Sequence, residues 1–236
     1  MPTWSLLDEF TKNGLKKFIY FSTIHVYGNL PKTIITEEQA LQPINAYGLT
    51  HLLSENICNY YNEKTETECI NVRLSNSYGN PIFQTNNCWW LVINDLCKTL
   101  YEERSIKLLS DGSPQRDFIH GLDVCRAVEV LLSSEKKNVP GNTFNVASGE
   151  TLTIWELAQA VQRTYRKRYN DDVPILLPDG VSAHAAEEAS RKRKYVVDNR
   201  RLSEMGFNRV IDLETGLNKV FSYLEQNNSC QARLAI

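Results

Sequence analysis

Lys17-Phe-Ile-Tyr-Phe-Ser22 reads as a short strand whose centre, Phe18 to Phe21, is apolar without interruption. A strand with one wet face alternates apolar and polar residues, so an unbroken run implies cover on both faces, as in a parallel sheet packed between helices. The same short β-rich pattern returns at Cys69-Ile-Asn-Val-Arg-Leu74 and at Thr143-Phe-Asn-Val-Ala147. Helical stretches accompany these runs, Tyr47 to Glu63 after the first and Leu122 to Ser133 before the third. That alternation predicts an α/β fold in which the three runs pair as neighbouring parallel strands.

Outside this frame, Trp4 to Phe10 suits a short amphipathic helix closed by Asn13-Gly14. Between the second and third strands, a helix is expected over Cys88 to Glu103 and a short strand over Ile106 to Leu109. Thr153-Ile-Trp-Glu156 fits a capping box, in which hydroxyl and carboxylate each satisfy a backbone N–H of the first helical turn. Pro174 and Pro178 bracket an apolar Ile-Leu-Leu, and Arg191-Lys-Arg-Lys194 is the one run of charge. Such a run is either a solvated face or a contact for phosphate.

Composition narrows the function. With 236 residues, 42% hydrophobic and 23% charged, the chain can bury a sizeable core as one large or two small domains. A formal charge of -2 and a pI of about 6.1 do not suit a polyanion as main partner, so no nucleic-acid role is expected. No apolar run approaches the roughly 18 residues that span a bilayer. The start, Met1 to Phe10, carries Asp8 and Glu9 where a signal peptide is apolar. A cytoplasmic protein with no membrane association is therefore expected. The six cysteines are never closer than nine positions, which offers neither a CxxC redox pair nor a zinc knuckle, and no metal is expected.

Four ordered blocks carry a family resemblance. Phe18-Ile-Tyr-Phe-Ser-Thr-Ile-His-Val-Tyr-Gly28 resembles the strand and active-site turn of the NAD-dependent sugar-nucleotide epimerase/dehydratase family, a branch of the extended short-chain dehydrogenases/reductases. Pro43-Ile-Asn-Ala-Tyr47-Gly-Leu-Thr-His51 is similar to that family's Pro-x-x-x-Tyr-x-x-x-Lys helix start, with histidine where the lysine stands. Val72-Arg73-Leu-Ser-Asn76-Ser-Tyr-Gly-Asn-Pro81 and Asp111-Gly-Ser-Pro-Gln-Arg116-Asp-Phe-Ile-His-Gly-Leu-Asp123 resemble its next two signature turns.

The resemblance implies a partial Rossmann-like doubly wound parallel sheet with a smaller C-terminal substrate-binding subdomain. On that expectation residues 1–80 and about 115–150 belong to the NAD(P)-binding part, and about 81–114 and 151–236 to the sugar-nucleotide part. It implies Thr23, Tyr47 and His51 as catalytic residues, Tyr47 and His51 as holders of NAD or NADP, and Thr23, Asn76, Arg116 and Arg191 as substrate contacts. Thr23 would position the reacting sugar oxygen and Tyr47 would take its proton. A phenol titrates near 10 when unperturbed, so it must be drawn down by a nearby positive charge, which the family's lysine supplies. A histidine at i+4 shares the helix face of Tyr47 but is mostly neutral at pH 7. Family dehydratases follow the Thr23 position with Asp-Glu. Ile24 and His25 stand there, and Ile24 cannot protonate a leaving hydroxyl, which points to epimerisation or keto-sugar reduction.

A doubly wound dinucleotide fold opens with a strand and a glycine-rich turn over the pyrophosphate. The eleven glycines of this sequence form no G-x-G-x-x-G. Three readings stay open: a truncated or split enzyme that works with an N-terminal half, a silent sugar-nucleotide-binding module, or an interaction subunit pairing through an apolar sheet edge, with a homo-oligomer expected for the edge.

Overall fold

In the computed structural model the described residues are 2–30, 33–83, 85–135, 141–192 and 194–234. In chain order the elements are α1 (Pro2–Lys12), β1 (Lys17–Thr23), a 3-10 turn (Ile24–Tyr27), β2 (Ile34–Ile35), α2 (Ala46–Lys64), β3 (Glu68–Leu74) and β4 (Asn76–Tyr78). There follow α3 (Val92–Glu103), β5 (Ile106–Lys107), β6 (Gln115–His120), α4 (Gly121–Ser133), β7 (Thr143–Val146) and β8 (Thr151–Thr153). The last are α5 (Ile154–Tyr169), β9 (Ile175–Leu176), α6 (Ala183–Ser190), β10 (Val196–Val197), α7 (Arg200–Ser203) and α8 (Leu213–Leu234).

The chain folds into two compact units. The first holds Met1–Asn76, Asp123–Thr151 and Lys194–Arg209, and the second Ser77–Leu122, Leu152–Arg193 and Val210–Ile236. Relative to the boundaries expected from sequence, residues 77–80 and 115–122 group with the second unit, and 151 and 194–209 with the first.

In the first unit β3 lies between β1 and β7, and both pairings are parallel, with Phe18 opposite Cys69 and Val72 opposite Phe144. The three expected strands are thus neighbours. β3 is buried almost throughout, as its central place requires. β1 departs from the expectation of cover on both faces, because Phe18, Ile19 and Tyr20 are half-buried and Phe21 is 46% exposed. The reason is its place at the edge: apolar composition alone does not distinguish a central strand from one whose second face is open.

Helices α1 and α2 cover the other face. Leu7, Cys58, Tyr61 and Cys69 form a buried cluster there, and the Trp4 ring stacks on Tyr60 at 5.5 Å. Burial pushes the Cys58 thiol up to about 12, so it packs as a small apolar group and is no nucleophile. A second cluster joins Ile24, Val26 and Tyr27 of the 3-10 turn to Ile35, Ala147, Tyr195 and Val197. The Lys17 ammonium donates to the carbonyls of Leu131 at 2.8 Å and Ser134 at 2.6 Å, closing the C-terminus of α4 where orphan carbonyls favour a cation.

In the second unit the helices follow the 3.6-residue period. Ile93, Leu96, Cys97 and Leu100 of α3 and Leu217, Val220, Phe221 and Leu224 of α8 present matching buried stripes to one core, shared with Leu157, Val161 and Tyr165 of α5. The capping box at α5 is formed: Thr153 Oγ1 accepts from Glu156 N at 3.1 Å, and Glu156 Oε2 accepts from Thr153 N at 2.8 Å. Helix α3 begins at Val92, four residues later than the sequence suggests. The Asn94 side chain holds the Cys88 carbonyl at 3.2 Å and Leu91 N closes a turn on the same carbonyl, which spends that acceptor outside the helix. The strand expected over Ile106 to Leu109 stops at Lys107, paired with the two residues of β9, and Leu109 faces solvent.

Gly28 ends the 3-10 turn at φ +73 and ψ −126, and a Cβ there would lie 1.9 Å from the Gln42 carbonyl oxygen. Backbone strain of this kind costs about 1–3 kcal/mol for any other residue, before the clash is relieved. Gly28→Ala is accordingly expected to lower the unfolding free energy obtained from urea titration by at least that amount, whereas Gly14→Ala, with open space around the Cβ, lowers it less.

Candidate active site

The first unit brings Thr23, Tyr47 and His51 to the C-terminal end of β1. Thr23 ends the strand and is buried; its Oγ1 accepts from His25 N at 3.3 Å and so caps the 3-10 turn. That contact uses a lone pair and leaves the hydroxyl proton for a donor role. The Asn45 Oδ1 accepts from Gly48 N at 2.8 Å and starts α2. Glycine costs about 1 kcal/mol relative to alanine inside a helix. Here a Cβ at Gly48 would lie 2.6 Å from the His25 carbonyl oxygen, so glycine is what lets the helix approach the turn.

Tyr47 and His51 stand one helical turn apart, with ring centroids at 4.6 Å and planes at 62°. His25 also packs on Tyr47, edge to face at 5.7 Å. The phenol ring thus touches two imidazoles while 55% of the residue stays exposed. His51 Nδ1 lies 2.9 Å from the Tyr20 hydroxyl. Burial lowers its pKa below 6.5, against the opposing pull of the Glu55 carboxylate, so the ring is neutral at pH 7.

Beneath these groups lies a buried polar network. Ser22 Oγ donates to Glu55 Oε1. Arg73 donates to the same carboxylate from Nε at 3.1 Å and from Nη2 to the second oxygen at 2.8 Å. Its Nη1 donates to the Tyr27 hydroxyl at 3.1 Å and to the Glu37 carbonyl at 2.9 Å. Burial raises the pKa of the Tyr27 phenol, which stays protonated and donates to Asn145 Oδ1 at 2.7 Å. Asn145 is closed further by Glu37 Oε1, which accepts from its backbone N–H at 2.9 Å.

Asn76 opens β4 just beyond β3 and is half-buried. Arg116 and Arg191 belong to the second unit and are both exposed. Arg116 lies on β6, its Nη1 donating to the Gln115 carbonyl at 2.8 Å, while the adjacent Asp117 is buried. Arg191 follows α6. The Asp111 to Ser113 turn lies within electrostatic reach of Lys192, so the fourth sequence block and the basic run converge within that unit. His120 is buried edge to face against Tyr78 at 5.2 Å, and its Nδ1 accepts from Leu122 N at 3.1 Å, bracing the start of α4. Among the described residues no group of three or more His, Cys, Asp or Glu side chains could hold a metal, and no helix is long and apolar enough to cross a membrane.

A parallel strand thus ends in a buried threonine, and the next helix opens with tyrosine and a second ring one turn on. The model of the NAD dependent epimerase/dehydratase family matches residues 1–147, and the chain belongs to that family. It is 24% identical over 228 residues to dTDP-glucose 4,6-dehydratase of Streptomyces griseus, covering 96% of this chain and 64% of that one. It is 26% identical over 219 residues to UDP-glucose 4-epimerase 2 of Oryza sativa subsp. japonica, covering 83% and 53%. The fold is similar to that of UDP-glucuronic acid 4-epimerase from Bacillus cereus in complex with UDP-glucuronic acid and NAD, with TM-score 0.76, 23% identity, and 95% and 66% of the two chains covered. It is similar also to RMD from Pseudomonas aeruginosa complexed with NADPH, with TM-score 0.75, 22% identity, and 95% and 72% covered. The chain spans less than two-thirds of the length of these two curated relatives.

Sequence reasoning passed over Tyr20, Glu37, Glu55, Arg73 and Asn145. One signal was present: Arg73 sits inside an otherwise buried strand, where a charge requires a partner, and Glu55 continues the His51 face of α2 at i+4. Breaking a buried ion pair by removing one partner costs about 3–5 kcal/mol. Arg73→Met is expected to destabilise the chain by that order in urea titration, and the double variant Arg73→Met, Glu55→Leu to recover part of the loss.

Proposed function

We propose that this chain carries the proton-transfer and sugar-handling parts of an NAD(P)-dependent sugar-nucleotide epimerase or keto-sugar reductase. The observation that carries the reading is the Tyr47–His51 pair on one face of α2, beside the buried Thr23 hydroxyl. In this role Thr23 donates to the reacting sugar oxygen, and Tyr47, open to solvent on one side, exchanges the hydroxyl proton. Dehydration is disfavoured because Ile24 is part of the buried cluster under the turn and holds no proton. The His51 ring supplies one N–H for a cofactor ribose, and the exposed Tyr47 phenol lies beside it; NAD or NADP would contribute the acceptance and return of a hydride. The 236 residues contain no G-x-G-x-x-G turn of the kind that holds a cofactor pyrophosphate. Asn76 and the exposed Arg116 and Arg191 are proposed as contacts for the nucleotide diphosphate, where guanidinium forks suit phosphate oxygens.

A silent sugar-nucleotide-binding module is the second reading, favoured by the neutral state of His51 at the position that needs a fixed charge. β1 also has β3 as its one lateral neighbour among the described residues, and its free edge can take a strand from a second copy or from an N-terminal segment. Light scattering of the purified chain is expected to show an oligomer, and a stable monomer at high concentration would refute this pairing.

Calorimetric titration with NAD, NADP and UDP-, dTDP- and GDP-sugars should show a sugar nucleotide binding more tightly than either dinucleotide. His51→Lys restores the permanent charge and is expected to raise any turnover by about tenfold or more, equivalent to about 1.4 kcal/mol of barrier. Tyr47→Phe abolishes it. Turnover that survives Tyr47→Phe would remove the phenol from the mechanism, and its complete absence in His51→Lys with a bound dinucleotide would favour the silent module.

A further inference from the structure

Tyr20 and Ser22 alternate with Phe21 along β1 and therefore share the face turned toward α2. Ser22 meets Glu55 there, and Tyr20 meets His51, its hydroxyl 2.9 Å from Nδ1. A phenol and a neutral imidazole nitrogen can bond in either sense. Thr3 Oγ1 donates to Ser54 Oγ at 3.1 Å, and Ser54 is buried on the adjoining turn of α2. A phenol is a stronger acid than a neutral imidazole N–H, and an imidazole nitrogen a far stronger base than a phenol oxygen, so the Tyr20 hydroxyl is the donor and Nδ1 the acceptor. Burial raises the pKa of Tyr20, which keeps its proton to donate.

We propose that Tyr20 is a positioning residue for His51: its hydroxyl donates to Nδ1 and fixes the imidazole with its hydrogen on Nε2. The ring is tied to the sheet and its single N–H is committed to one side. In a lysine at this position the amine has three rotatable donors and needs no such orientation; an imidazole has one, and its direction is set by what the other nitrogen binds. Use of the Nε2–H for a cofactor ribose rests on the function proposed above, whereas the tautomer does not.

The test is ¹⁵N NMR of the full chain above pH 7, where His51 is neutral, with its ring signals assigned by their loss in His51→Gln. The wild type is expected to show hydrogen on Nε2 and an Nδ1 signal shifted upfield of an unbonded acceptor. Tyr20→Phe removes the hydroxyl and is expected to move Nδ1 downfield, with the amide spectrum otherwise retained. Ser54→Ala keeps the phenol and is expected to move Nδ1 less. Hydrogen on Nδ1 in the wild type would overturn the proposal whether or not the variants fold, and so would an Nδ1 signal unchanged in Tyr20→Phe. A chain that binds no NAD(P) yet shows the wild-type signature would cost the functional reading and leave this one standing.

Discussion

The first unit is organised around the guanidinium of Arg73, buried in the central strand and shared among four acceptors. Two are the oxygens of Glu55 on α2, one is the Tyr27 hydroxyl in the 3-10 turn, and one is the Glu37 carbonyl in the segment before α2. Taking both charges of such a pair out of water costs several kcal/mol per ion, and attraction offsets this only when the remaining donors and acceptors are also filled. That condition explains the rest of the network. Glu55 takes Ser22, Tyr27 passes its proton to Asn145, and Asn145 Nδ2 bonds the carbonyls of Ile35 and Asp198. The 3-10 turn, α2, β7 and the segments carrying β2 and β10 are therefore held in register by a chain of directional bonds that apolar packing alone would not specify.

This arrangement separates rigidity from reactivity. Ser22, Tyr27, Glu55 and Arg73 are buried and their bonds are used within the protein, while Tyr47 faces outward on the first turn of the same helix that carries Glu55. A side chain on the end of a well-anchored helix keeps its direction without being desolvated, which suits the role proposed for Tyr47, and Gly48 allows the close approach of helix to turn.

The sequence made most of this frame legible, because β-rich runs, an Asn45 cap and the Thr153–Glu156 box are local signals that depend on neighbours a few positions away. The tyrosine and histidine four apart could be placed on one face for the same reason. What escaped was set by distant partners. Glu55 and Arg73 are eighteen positions apart and Tyr27 and Asn145 are 118 apart, and no period or cap connects them. Tyr20 reads as one more apolar-strand aromatic until a helix brings His51 within 2.9 Å of its hydroxyl. The partly open face of β1 escaped too, since Phe18 to Phe21 has the composition of a covered strand and its exposure depends on which elements lie alongside.

The same bonds bear on what His51 can do in place of a lysine. The permanent positive charge beneath the site, Arg73, is neutralised by Glu55, so it supplies little net field at Tyr47. Charge on His51 itself appears only as pH falls through a pKa that burial holds below 6.5. Near neutral pH the imidazole is therefore a dipole where a lysine would be a cation, and the role proposed for Tyr47 would draw its positive charge from a bound ligand.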